Sequence, residues 1–151
     1  MKDLILINEN SFEKIREKIS ENKEKEIVFT SDDDDLNLKV LEKLPINMLL
    51  VNLRERKDYQ KQRNSGFNQV MAKLSKKNNV KLGVNLDEII DSIGKQKSEI
   101  LARIRQNIKL CNKNKVEIKF FSLNKKNKKD PYDLKSLGLV LGLKTELVVK
   151  I

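Results

Sequence analysis

Between Ser65 and Ile89 the sequence SGFNQVMAKLSKKNNVKLGVNLDEI places a helix, a turn, a strand and the start of another helix within 25 residues. Phe67, Val70, Met71 and Leu74 return every three or four positions, the spacing of one buried helix face. Gly66 is expected to open this helix, and Asn78 with Asn79 to end it. A strand, Val80 to Leu86, follows at once. Asp87 then stands where a short carboxylate accepts from the free N–H groups of a first helical turn. This economy is that of a repeating α/β fold, in which helices connect the strands of a parallel sheet.

The same rhythm runs along the rest of the chain. Asp3 to Ile7 reads as a first strand, followed by a helix capped by Asn10 or Ser11 that runs to about Asn22. Glu26 to Thr30 reads as a second strand. Asp32 to Asp35 then precede a helix from Leu36 to Leu44, where four carboxylates suit the positive end of the helix dipole. Pro45 ends that helix. Asn47 to Leu53 forms a third strand whose run Met48 to Val51 is apolar throughout, as in strands covered on both faces. A polar loop spans Arg54 to Ser65. Beyond strand four, a short helix runs from Asp87 to Ile93 with Gly94 as its C-cap, and the longest helix from Ser98 to Asn114. Strand five is Val116 to Ser122, a basic loop spans Lys125 to Lys129, and an apolar helix runs from Tyr132 to Leu141, with Gly138 and Gly142 allowing close packing. The tail Leu147 to Ile151 reads as a sixth strand or a frayed end.

At 151 residues this is the size of one domain, able to bury a core without disulfide or metal. One cysteine, Cys111, lies on an apolar helix face and fits a reducing cytoplasm. No apolar run approaches the roughly 18 residues of a membrane span, and the N-terminus lacks a signal-peptide pattern. The expectation is a soluble cytoplasmic protein. With no histidine, the chain lacks an imidazole base, and the His-containing triads and His-rich metal centres are excluded. Glu55 and Asp130 fall near strand ends, but nothing in the sequence pairs them as a two-metal site.

Charge is distributed unevenly. Residues 1–50 carry 8 Lys/Arg against 12 Asp/Glu, whereas residues 51–151 carry 24 against 10. Excess cations favour contact with phosphates by releasing counterions. The later two-thirds is therefore expected to face a polyanion. Arg54, Arg56, Lys57, Lys61 and Arg63 fall in one loop, and Lys125, Lys126, Lys128 and Lys129 in another. Lys73, Lys76 and Lys77 follow the first loop on its helix. Arg105, Lys109 and Lys113 form a four-residue row on the longest helix, with Arg103 on the same polar half. Tyr59 and Tyr132 are the candidates for base stacking. Such scarcity of aromatics favours reading of RNA shape and backbone over sequence.

The stretch from Ser65 to Ile89, with KQKSEILARIRQNIKLCNKNKVEI and DPYDLKSLGLVLGL downstream, resembles the ribonuclease P protein subunit called component 3 in archaea, whose eukaryotic relatives are the subunits of roughly 30 kDa. The resemblance runs from about Met48 to Leu143. Within it, Arg63 keeps the cation before the family's glycine and Lys73 matches the lysine of AKL. Gln69 stands where the family usually has histidine. Tyr132 replaces an arginine, with Lys135 one turn later, and Asp133 matches as a cap or the partner of a cation.

The resemblance implies a TIM-barrel-like (β/α) fold. A full barrel needs eight strands and about 250 residues. With five strands and at most a sixth, the expectation is an abbreviated or incomplete barrel whose open edge a partner or a second copy covers. If strands three and five end on the same barrel face, the two basic loops lie together. The resemblance also implies a function: supporting a catalytic RNA that removes the 5′ leader of precursor tRNA with RNA-bound Mg²⁺, the chain itself holding no cofactor and no catalytic group. The partners implied are ribonuclease P RNA, precursor tRNA and the component 2 protein subunit. Two other readings stay open: a structural or assembly barrel that binds mainly protein, and a metal-dependent phosphoesterase of related fold.

Overall fold

The structure, a computed structural model, describes residues 2–151. Five parallel strands form one sheet in the order of the chain: β1 (Leu4–Ile7), β2 (Glu26–Thr30), β3 (Met48–Val51), β4 (Lys81–Asn85) and β5 (Ile118–Phe121). Each strand lies beside the one before it, with Ile5 opposite Ile27, Phe29 opposite Leu49, Leu49 opposite Leu82 and Val84 opposite Phe120. Between the strands run α1 (Phe12–Glu21), α2 (Asp34–Lys43), α3 (Gln69–Lys77), the six-residue α4 (Leu86–Asp91) and the 21-residue α5 (Gly94–Asn114). The helices α6 (Pro131–Val140) and α7 (Thr145–Val148) complete the chain.

Strand residues divide by parity, because successive side chains of a strand point to opposite faces. Phe29, Leu49, Val51, Leu82, Val84, Ile118 and Phe120 join the main core with Ile15, Val40, Met71, Ile104 and Ile108 of the helices. Val28, Met48 and Leu50 form a second, small cluster with Leu6 and Phe121 on the other face. There a side chain at Gly83 would meet Met48 Sδ at 2.8 Å, so the thioether fills the space that glycine leaves. Sequential strands with helices on one face are the winding of a barrel. Five strands make an incomplete, open one, and β1 and β5 each pair on a single side.

Strand windows match the sequence reading closely, and Met48 to Val51 are all buried, as an apolar run predicts. Helix starts differ more. Asp33 caps α2 by accepting from the N–H groups of Asp35 and Leu36, so this helix begins at Asp34 rather than Leu36. Gly66 does not open α3; Asn68 does, its side chain accepting from Met71 N–H. Gly66 instead sits at φ +65°, where an added Cβ would lie 2.5 Å from Arg56 Nη2 and 2.6 Å from Val51 Cγ1. Asn85, not Asp87, caps α4. Gly94 begins α5 rather than closing α4, extending the long helix four residues upstream of Ser98.

At the C-terminal end, Asp130 caps α6 ahead of Pro131, and Asp133 lies in the first turn without being its cap. Gly138 packs under Ile151 and Leu143 as expected, but Gly142 lies beyond the helix at φ +104°. The tail is not a strand: residues 145–148 turn into α7, burying Leu147 and Val148. Cys111 is wholly buried, and that burial pushes its thiol up to about 12, which leaves it inert as a nucleophile. No helix among the described residues is long and apolar enough to cross a membrane.

Candidate nucleic-acid interface

The chain between β3 and α3 is long, polar and well anchored. Its first residues are held by Glu88 of α4. One carboxylate oxygen accepts from Leu53 N–H at 2.9 Å and the other from Arg54 N–H at 2.8 Å. Arg103 of α5 holds the middle. Its guanidinium donates to the Leu53 carbonyl at 3.0 Å, the Arg56 carbonyl at 2.8 Å and Asp58 Oδ1 at 3.2 Å. Asn107 Nδ2 donates to the Ser65 carbonyl at 3.0 Å, and Gln106 Nε2 to the Arg63 carbonyl at 2.9 Å. This loop is therefore a rigid shelf bolted to two helices.

Its cations fall into two groups. Arg56 is turned inward: its guanidinium makes a two-pronged pair with Asp34 (2.9 and 3.0 Å) and donates to the Asn52 carbonyl and Asn64 Oδ1. Only 10% of its side chain is exposed, so it fastens the loop to α2 rather than facing solvent. Arg63 pairs with Asp58 at 3.1 Å and is half exposed. Arg54, Lys57 and Lys61 are exposed and have no carboxylate within ion-pair distance among the described residues. Asp58, shared by the Asn64 N–H, Arg103 and Arg63, is held below the usual carboxylate range, chiefly by the Asn64 backbone donor, with Arg103 and Arg63 adding to it against a burial cost.

The second basic loop follows β5. Asp87 organises it by accepting from Ser122 Oγ (2.7 Å), Leu123 N–H (2.9 Å), Asn124 N–H (3.1 Å) and Asn127 Nδ2 (2.9 Å). Burial pushes this carboxyl up, but the four donors outweigh it and hold it below its ordinary value. One turn of 3₁₀ helix, Lys125–Asn127, presents Lys125 and Lys126 to solvent beside the exposed Lys128 and Lys129. Helix α4 thus bears both loops. Glu88 fixes the one after β3 and Asp87 the one after β5, at the C-terminal ends of parallel strands. Replacing Asp87 by Asn should destabilise the protein at neutral pH. Because the folded value is depressed, the deficit should close as pH falls below the ordinary Asp value of about 3.9. Urea melts of both forms between pH 7 and 3 would reveal it; a gap that persists at low pH would dismiss a charge-based role.

On the flank, a groove of about 980 Å³ runs between α2, α3 and α5 beneath the first loop, with Tyr59, Arg63, Lys109 and Lys113 on its rim and Asp34 and Asp35 opposite. Lys73 and Lys77 of α3 and Arg105 of α5 are exposed nearby on these helices. Gln69, at the family's histidine position, bonds reciprocally with Asn114 (3.3 and 3.2 Å), tying α3 to α5. Tyr59 and Tyr132 both stand out in solvent, at 59% and 78% exposure. Inside the sheet's mouth, Asn85 Nδ2 donates to Asn52 Oδ1 and Asn52 Nδ2 to Thr30 Oγ1, a ladder of neutral groups across β2, β3 and β4.

Arg103 corrects the sequence reading most. Expected on the polar half of α5 beside Arg105, it is instead 3% exposed. Its position held the signal: Ile100, Arg103, Ile104, Asn107, Ile108 and Cys111 share the spacing of one buried stripe. Glu88 and Asp87 carried none, because their partners lie some 35 residues away.

Fold and site together define an open (β/α) barrel fragment that carries two cation-bearing loops at one end of its sheet. Set against family profiles and curated proteins, the chain matches none. Among solved structures it is similar to a chain in one described as the "cryo-EM structure of archaeal Ribonuclease P with mature tRNA", with a TM-score of 0.81 and 23% identity. The match covers 99% of this chain and 64% of that one. This likeness establishes the fold.

Proposed function

We propose that this chain is a protein subunit of ribonuclease P, of the archaeal component 3 kind, supporting RNA-catalysed removal of the 5′ leader from precursor tRNA. The observation that carries the reading is the fold shared with a chain from an archaeal ribonuclease P structure, joined to two cationic loops borne on one helix. In this role the protein supplies no reactive group. Its exposed lysines and arginines lower the electrostatic cost of folding the catalytic RNA and of holding Mg²⁺ on it. The Thr30–Asn52–Asn85 ladder is in keeping with a scaffold, because its amides and hydroxyl are engaged with one another. A component 2 type subunit is the expected protein partner.

The test is reconstitution. Catalytic RNA at limiting Mg²⁺ should cleave precursor tRNA faster when this chain is added, and faster again with its protein partner. Unchanged cleavage in both mixtures would remove the reading. Turnover of precursor tRNA by the protein alone would favour a metal-dependent phosphoesterase instead.

A further inference from the structure

At the end of the sheet opposite the basic loops, a second cleft of about 360 Å³ opens below the N-terminal ends of β1, β2 and β3. It lies in the half of the chain with excess carboxylates, yet no carboxylate lines it. Glu21, Glu24 and Glu26 are neighbours in sequence but do not line it. Four cations surround it: Lys2, Arg16, Lys23 and Lys25. Among the described residues, no carboxylate lies within ion-pair distance of the three lysines, and Lys25 is half-buried. Arg16 pairs with Glu13 at 3.5 Å, both well exposed, a pair that contributes little, and its guanidinium lies over the Phe12 ring at 5.1 Å.

Two neutral donors complete the rim. Asn47 is held in place by accepting from Ile27 N–H at 2.7 Å through Oδ1, which leaves Nδ2 able to donate. Ser20 Oγ has no partner among the described residues. The floor is Ile19, Ile27 and Leu44. Lysines, an amide N–H and a hydroxyl over an apolar base fit a phosphate with its sugar, because cations and donors line one small volume with no carboxylate among them.

We propose that this cleft holds a phosphodiester of RNA, so that the chain grips RNA at both ends of its sheet and bridges two RNA segments. The identity of the ligand rests on the functional reading above; the cationic, carboxylate-free cleft does not. A five-residue strand spans roughly 17 Å, so two segments held at opposite ends would be kept apart by at least the length of the sheet.

The experiment mixes two RNA hairpins, carrying donor and acceptor dyes, with the full-length chain. The intact protein should bring them together and give energy transfer. Combined Lys2→Ala, Lys23→Ala and Lys25→Ala should still bind one hairpin but lose transfer at least about fivefold, and the slope of log affinity against log salt should fall by about 2 to 3. The matching Lys→Arg form should keep transfer. Transfer that survives the alanine form, or an intact protein that holds one hairpin only, would overturn the inference. Hairpin binding that ignores substitution of Arg54, Lys57 and Lys61 would count against the loop surface instead, so the two failures are separable.

Discussion

Arg103→Met should cost about 3 kcal/mol of folding stability, the loss expected when a charged donor that serves several buried acceptors is removed. Methionine keeps most of the buried volume, so packing changes little and the missing hydrogen bonds dominate. The carbonyls of Leu53 and Arg56 lose their donor, and Asp58 keeps only Asn64 N–H and Arg63. The loss should be local before it is global. Amide exchange across residues 53–66 should accelerate more than in the strands, and the midpoint of urea unfolding should fall. Unchanged exchange in that loop would show that Glu88 and Asn107 suffice to hold it.

The second large effect concerns the outward cations. Arg54→Ala, Lys57→Ala and Lys61→Ala together should reduce the salt slope of RNA binding by about 2 to 2.7, since each phosphate contact contributes roughly 0.7 to 0.9. Stability should barely move, because these side chains are exposed. Arg56→Ala should behave in the opposite way. It breaks the pairing with Asp34 and loosens the loop, so stability falls while the slope stays close to that of the intact protein. Slope titrations and thermal melts on both forms separate an RNA-facing cation from a fastening one. A triple variant with an unchanged slope would clear the shelf of RNA contact.

What could be read from the sequence follows from how far apart the interacting residues lie. Strands and helices depend on periodicity within a dozen positions, so Met48–Val51 and the turn at Asn78–Asn79 were legible. The α3 face was read only in part: Met71 is buried, but Val70 is 59% exposed and Ala72 and Ser75 turn inward instead. Five strands were countable; the family resemblance implied the barrel, and the count implied that it is open. The tail was not: Leu147 and Val148 fit a strand or a helix equally, and packing against α6 decides for the helix. The division of the basic loop into inward Arg56 and outward Lys57 also escaped, because Asp34 lies 22 residues upstream. Local pattern cannot distinguish a cation with a partner from one without.

The in-line strand order has a consequence for how the protein is made. A nascent chain emerging from the ribosome can lay each new strand against the last one finished, without waiting for distant sequence. The shelf is the exception. Residues 53–66 are synthesised well before Glu88, and Arg103 arrives some 50 residues after Leu53. During translation this cationic shelf therefore stays pliable until α5 emerges, after β1 to β4 have been made and before β5.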